Sequence, residues 1–335
     1  MNSRAERRPT LRTIAERTGL AVATVSRALS DAPDIGSETK KRVRAIAKEV
    51  GYVPSRVGRG LRTGRTHVIC VPVSPEQSAL EMSLVSAIAL ALIGTPYQVN
   101  LVPYMGRDDW MDPVRETVET GSADAVALSH IEPNDERVAY LLDRNFPLVT
   151  FGRSSWHEKH AYFEYDNAVF GRDAVAGLVG LGRRDITLLG YRRELQSRHD
   201  MLAGAQSEAV RLGARFTLLE CVEATQASCA LQAAIVDHLE KAPQTDAFIC
   251  PSSKVAMDTI VAAESVGRVL GQDFDVFSKE GVPMLQLFRK GILTALEDPS
   301  QIGTFLAKAA IHAIEKPDDA PLTESVVAQL RVAGS

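Results

Sequence analysis

Apolar positions recur at two different periods along this chain, and the change falls near residue 67. In TLRTIAERTG, Leu11, Ile14 and Ala15 share one helical face, Thr10 is placed to cap the helix and Gly19 ends it. AVATVSRALSD follows across a tight turn at Gly19-Leu20. SETKKRVRAIAKEVGY carries Val43, Ile46, Ala47 and Val50 as an inner stripe, with Ser37 as the predicted N-cap, Glu38 in the first turn and Gly51 as the stop. Three short helices with a glycine turn between the first two make a helix-turn-helix plan. From His67 onward, short apolar runs (HVICVPV, QVNLVPY, ADAVALS, PLVTFG) alternate with helical stripes up to EYDN. The alternation then starts again with DITLLG, FTLLECV, AFICP and FDVFSKE as strands. Two successive strand–helix series predict two doubly wound parallel sheets, with a ligand cleft at the carboxyl ends of their strands. The predicted division is a helical head over 1–54, a linker over 55–66 and a two-lobed α/β core over 67–335. Within the core, one lobe takes about 67–165 plus 293–320, and the other about 166–292 plus 321–335.

Charge sharpens this division. The 335 residues carry a net −4, but residues 1–66 hold 15 Lys+Arg against 6 Asp+Glu, and the rest holds 23 against 36. A head of +9 on a body of −13 points to a polyanionic partner, nucleic acid ahead of a membrane surface. The linker RVGRGLRTGRT gathers Arg56, Arg59, Arg62 and Arg65 around Leu61, with Gly58, Gly60 and Gly64 raising the entropy cost of ordering. No apolar stretch follows the basic start, and SAIALALIG is far short of a membrane span. The expected setting is cytoplasmic and nucleoid-associated, with no membrane. Cys70, Cys221, Cys229 and Cys250 form no C-x-x-C pair, so buried or half-buried thiols are expected. WHEKH offers His157 and His160 without further ligands close by, and no G-x-S-x-G, phosphate-binding loop or dinucleotide fingerprint is found. No enzyme activity, metal or cofactor is therefore expected.

The run TLRTIAERTGLAVATVSRALS…SETKKRVRAIAKEVGYVPSRVGRGLRTGRT resembles the LacI/GalR family of bacterial transcription regulators, and the later segments EYDN, LVGLGRRDITLLG and SSKVAMDTIVAAESVG fit the same family more loosely. The resemblance implies a periplasmic-binding-protein-like core and a homodimer that binds a pseudo-palindromic double-stranded DNA operator. It also implies that the linker folds as a hinge helix in the minor groove, with Leu61 as a wedge between base pairs and the arginines on phosphates and groove. DNA-contacting residues are then Thr10, Ala21, Val22, Ala23, Thr24, Arg27, Ser55, Arg56, Arg59, Leu61 and Arg62. Val22 and Ala23 offer only apolar contact or are tolerated surface residues, and Arg27 pairs with guanine or with phosphate.

In the core the resemblance implies a small-molecule effector, and the expected contacts are Arg153, Asp166, Tyr191, Arg198, Ser252, Ser253 and Lys279. Several depart from the family pattern. Lys279 stands where many relatives have an aspartate, Gly152-Arg153 where a polar or acidic residue is frequent, Ser252-Ser253 where Asn-Asp is frequent, and Met201 where an arginine is usual. A more basic cleft suits an anionic sugar derivative; the same residues can also bind a neutral glycoside through its hydroxyls, or pair with carboxylates such as Glu164, Asp166 or Glu280. Asp166 reads first as a helix N-cap. The helix EMSLVSAIALALIG is a dimer-interface candidate or a plain core helix, and VVAQLRVAGS shows no leucine heptad for a tetramer. The expected function is a ligand-released repressor of carbohydrate-related genes, with a co-repressor mode as the alternative. A solute-binding protein or a sugar-processing enzyme is the remote rival.

Overall fold

The computed structural model describes residues 9–53, 64–74, 79–105, 109–190, 194–220 and 228–331. The chain forms two compact units, Met1–Thr66 and His67–Ser335. Ser55, Arg56, Arg59, Leu61 and Arg62 of the predicted hinge, and Tyr191 of the predicted cleft, lie outside the described residues.

The first unit is three helices: α1 (Leu11–Thr18), α2 (Val22–Leu29) and α3 (Ser37–Glu49). Thr10 caps α1 reciprocally with Thr13, each side chain serving the other's backbone N–H. Gly19 then closes α1 in the left-handed conformation (φ 69°), which a residue without Cβ adopts at no steric cost. Ser37 does not cap α3. Gly36 holds the extended N-cap conformation (ψ 147°), and Ser37 is already the first helical residue. Ile14, Ala15, Val25, Ala28, Val43 and Ala47 make the small core, and Leu29, Ile46 and Val50 pack against it.

The second unit holds two six-stranded sheets. The first is ordered β11-β5-β4-β3-β1-β2, from β1 (Val68–Val73), β2 (Gln98–Pro103), β3 (Ala125–Leu128), β4 (Leu148–Phe151), β5 (Ala161–Tyr165) and β11 (Thr323–Val326). The second is ordered β12-β10-β9-β8-β6-β7, from β6 (Asp185–Gly190), β7 (Arg215–Glu220), β8 (Ala247–Cys250), β9 (Asp275–Glu280), β10 (Leu293–Leu296) and β12 (Gln329–Arg331). All pairings are parallel except β10 with β12, and each inner strand is buried on both faces, as parallel sheets covered by helices require. Intervening helices are α4 (Ala79–Ala91), α5 (Asp112–Thr120), α6 (Glu136–Asp143), α7 (Asn167–Gly180), α8 (Gln196–Leu212), α9 (Ser228–Lys241), α10 (Ser253–Ser265), the single-turn α11 (Leu285–Phe288) and α12 (Pro299–Glu315).

The lobe boundaries shift from those expected. Residues 293–296 form β10 of the second sheet and not part of the first lobe, so the chain crosses over at Glu297-Asp298 and only then lays α12 against α4 and the first sheet. Residues 323–326 belong to the first sheet beside β5, and the chain returns to the second sheet only at β12. The reason is pairing: β10 finds its parallel partner in β9, and β11 completes the open edge at β5. Of the described cysteines, Cys70 and Cys250 are buried as expected, whereas Cys229 is exposed on α9. Among the described residues no helix is long and apolar enough to cross a membrane.

Candidate functional site

Two surfaces carry chemistry. The first is the outer face of α2. With Val25 and Ala28 fully buried, helical geometry turns Ala21, Val22, Ala23 and Arg27 outward, and Thr24 is half-buried. The exposed start of α2 is thus small and apolar, with one guanidinium a turn further on. Ala21 makes no side-chain cap, which leaves the first backbone N–H groups of α2 without a side-chain acceptor. Arg27 forms an ion pair through Nη2 with Asp34, in the loop between α2 and α3. Thr10 lies exposed at the start of α1, its side chain engaged in the capping box.

The second surface is the cleft at the carboxyl ends of the strands. Arg153 follows β4, and its turn depends on Gly152, whose φ of 112° suits no side-chain-bearing residue. Any residue with a side chain at position 152 would be strained by that backbone. Arg153 lies 3.4 Å from Glu164 of β5 and 3.4 Å from Asp200 of α8, so it joins one lobe to the other. Burial holds the Glu164 carboxyl above the usual carboxylate range, and the Arg153 guanidinium offsets part of that shift.

Lys279, at the end of β9, is 10% exposed and lies 2.8 Å from Glu297, itself 6% exposed. It also donates to Asn167 Oδ1 at the first turn of α7 and sits 5.3 Å from the Phe170 ring centre. Lys279 thus ties together two of the three crossovers, 166–167 and 297–298. Beside it, the Tyr165 hydroxyl accepts from Asp298 N (2.8 Å) and donates to Gln301 (3.3 Å); burial pushes its phenol up to about 12. Arg198 is buried and donates to Glu220 (2.7 Å) at the end of β7. Asp166 caps α7 by accepting from Val169 N (2.8 Å), and Ser252 caps α10 by accepting from Val255 N (3.4 Å), with Ser253 opening that helix. Glu280, a suggested partner of Lys279, instead accepts from the Met284 and Leu285 backbone N–H groups.

An uncompensated basic cleft is therefore not what the fold builds. Three cations, Arg153, Arg198 and Lys279, meet four carboxylates, Glu164, Asp200, Glu220 and Glu297. The sequence reading missed Asp200, Glu220 and Glu297, and also a group on the first lobe. There His130 (φ 54°) follows β3 with Nδ1 3.0 Å from Glu81 of α4, and Ser129 Oγ lies 3.4 Å from the same carboxylate. The signal that could have found Ser129 and His130 is position alone: both directly follow a buried parallel strand, where such folds place ligand contacts.

Comparison with known proteins agrees with the fold. Residues 10–55 match the model for bacterial regulatory proteins of the lacI family, and residues 175–335 match that for a periplasmic binding protein-like domain. The HTH-type transcriptional regulator AglR of Rhizobium meliloti (strain 1021) is 26% identical over 97% of this chain and 93% of its own length. The regulator CelR of Thermobifida fusca is 25% identical over 92% of each. Among solved structures, the lac repressor dimer bound to operator and the anti-inducer ONPF superposes with a TM-score of 0.84 at 18% identity, covering 98% of both chains. A complex of the transcriptional regulator CelR with cellobiose superposes with a TM-score of 0.71 at 21% identity, covering 98% of this chain and all of the other.

Proposed function

The chain belongs to the lacI family of bacterial regulatory proteins, DNA-binding regulators of transcription, and we propose that it is a dimeric repressor released from a pseudo-palindromic operator by a neutral carbohydrate. The observation that carries the choice of effector is the internal pairing of every candidate cleft cation. An incoming carboxylate or phosphate would have to displace a protein carboxylate already in place, and would then face it at close range. A polyhydroxyl ligand meets no such opposition. Its hydroxyls donate to Glu164 and Asp200 and accept from Arg153, so each half of the ion pair serves the sugar without losing its partner.

For DNA, α2 enters the major groove with Val22, Ala23 and Thr24 toward base edges and Arg27 toward a guanine. Ser55, Arg56, Arg59, Leu61 and Arg62 serve the minor groove at the operator centre, in keeping with the family's hinge. Arg153 links effector to DNA: because Arg153 and Asp200 stand on different lobes, a ligand bound to both favours one arrangement of the lobes over another. By linkage, a sugar that weakens operator binding must itself be bound more weakly by the operator complex, by the same factor.

The test is thermal stability of the purified protein against neutral oligosaccharides, sugar acids and sugar phosphates. A neutral oligosaccharide should raise the Tm, by mass action. Stabilisation by anionic sugars alone would overturn the neutral-effector reading.

A further inference from the structure

The second acidic residue of the α2–α3 loop has a role that the fold does not require. The first, Asp31, is structural: it takes a left-handed conformation (φ 61°) and accepts from Arg44 (2.9 Å), with Lys40 3.1 Å away. Lys40 above all holds its carboxyl below the usual range. The loop is further fixed by Ala32 N–H on Arg27 O (3.0 Å) and by Ile35 packed on the head core. Asp34 stands in this fixed loop and pairs with Arg27, yet the two side chains are 45% and 58% exposed. An ion pair that open to water contributes little to stability.

Asp34 also works against DNA attraction. Residues 9–53 carry 8 basic and 5 acidic side chains, so the folded head is only +3, while 1–8 and 54–66 together carry +6. A carboxylate beside the reading helix lowers general affinity for a polyanion. Its gain must lie elsewhere, and the chemistry of Arg27 says where. A guanidinium has five N–H donors in a rigid fork, and a free one binds phosphate as readily as a base edge.

We propose that Asp34 is a positioning residue for base recognition: by holding Nη2 of Arg27 it presents the remaining guanidinium donors to guanine O6 and N7 and withholds Arg27 from phosphate. The assignment rests on the reading of α2 as the major-groove helix. It makes Asp34 a determinant of specificity at one base pair per half-site, although it need not touch DNA itself.

The experiment uses the full chain with Asp34→Ala, Asp34→Asn, Arg27→Ala and the Arg27→Ala/Asp34→Ala pair. Each is selected against a duplex library with a randomised centre and titrated on an alternating dA–dT duplex, which offers no guanine. Asp34→Ala should lower the guanine preference at one position per half-site about tenfold. Binding to the dA–dT duplex should hold or strengthen, with a salt slope steeper by about one. Asp34→Asn, of unchanged size, should do the same, and the double variant should lose no more preference than Arg27→Ala. Retained preference in both Asp34 variants, with Arg27→Ala relaxed, overturns the role of Asp34 alone. Equal weakening on all duplexes shows a merely structural residue. Unchanged preference in Arg27→Ala removes Arg27 as a base contact, and the assignment of Asp34 falls with it.

Discussion

Lys279 shows what a single side chain's partners decide. As an unpaired ammonium it would invite an anion; bonded to Glu297 and Asn167 it braces two of the three crossovers. Lys279→Met should therefore act on stability, because it leaves Glu297 buried without its counter-charge. Removing one member of a buried pair costs about 3 kcal/mol or more. Urea unfolding of Lys279→Met should show that loss, and adding Glu297→Gln should recover most of it; a single variant as stable as the parent would mean the brace contributes nothing. The residues of this cleft were legible in the sequence one at a time, since Arg153, Ser252 and Lys279 all stand at or just after strand ends. Their partners were not. Asp200 is 47 positions from Arg153 and Asn167 is 112 from Lys279, and no local pattern announces a pair of that separation.

At the scale of elements, legibility followed burial. HVICVPV, ADAVALS and AFICP stood out because inner parallel strands are apolar on both faces. β5, AYFEY, carries Glu164 into the cleft and was not read as a strand, and β10 (LTAL) and β11 (TESV) are broken by Thr, Glu and Ser, so neither shows a continuous apolar run. The lobe exchange at residues 297 and 327 was misplaced for that reason. Helix packing gives a sharper test than strand pairing. α7 and α8 cross so closely that a Cβ on Gly204 would lie 2.1 Å from Ala168 O, and one on Gly171 would lie 2.3 Å from Met201 O. Both obstacles are backbone, which cannot swing aside. Gly204→Ala should thus destabilise the core by about 1–3 kcal/mol, the cost of overpacking, despite alanine's better helix propensity. Denaturant titration decides it: a Gly204→Ala protein with an unchanged or higher midpoint would mean that the crossing relaxes freely.

The proposed function needs two heads on one operator, and the surface of the core carries a face suited to that. Met82 and Leu90 on α4, and Ile93 just beyond it, are 51%, 66% and 74% exposed, and Leu101 and Met105 at the neighbouring edge strand β2 are 43% and 77% exposed. Large apolar side chains grouped in this way on a single chain mark an interaction surface. We take it as the face that a second copy covers, consistent with α4 being apolar around much of its circumference in sequence. A dimer matters because the second half-site then binds at high effective concentration, and avidity of that kind is worth about a hundredfold or more. Leu90→Asp combined with Ile93→Asp places two charges where the partner's apolar face would sit. The variant should sediment as a monomer and unfold as cooperatively as the parent. Its affinity for an operator selected with the parent protein should fall by about that factor. Sugar-dependent stabilisation should persist, since the cleft lies within one chain. A variant that stays dimeric would place the interface elsewhere. A monomer that keeps full operator affinity would mean that one head suffices, and the two-fold operator would lose its basis.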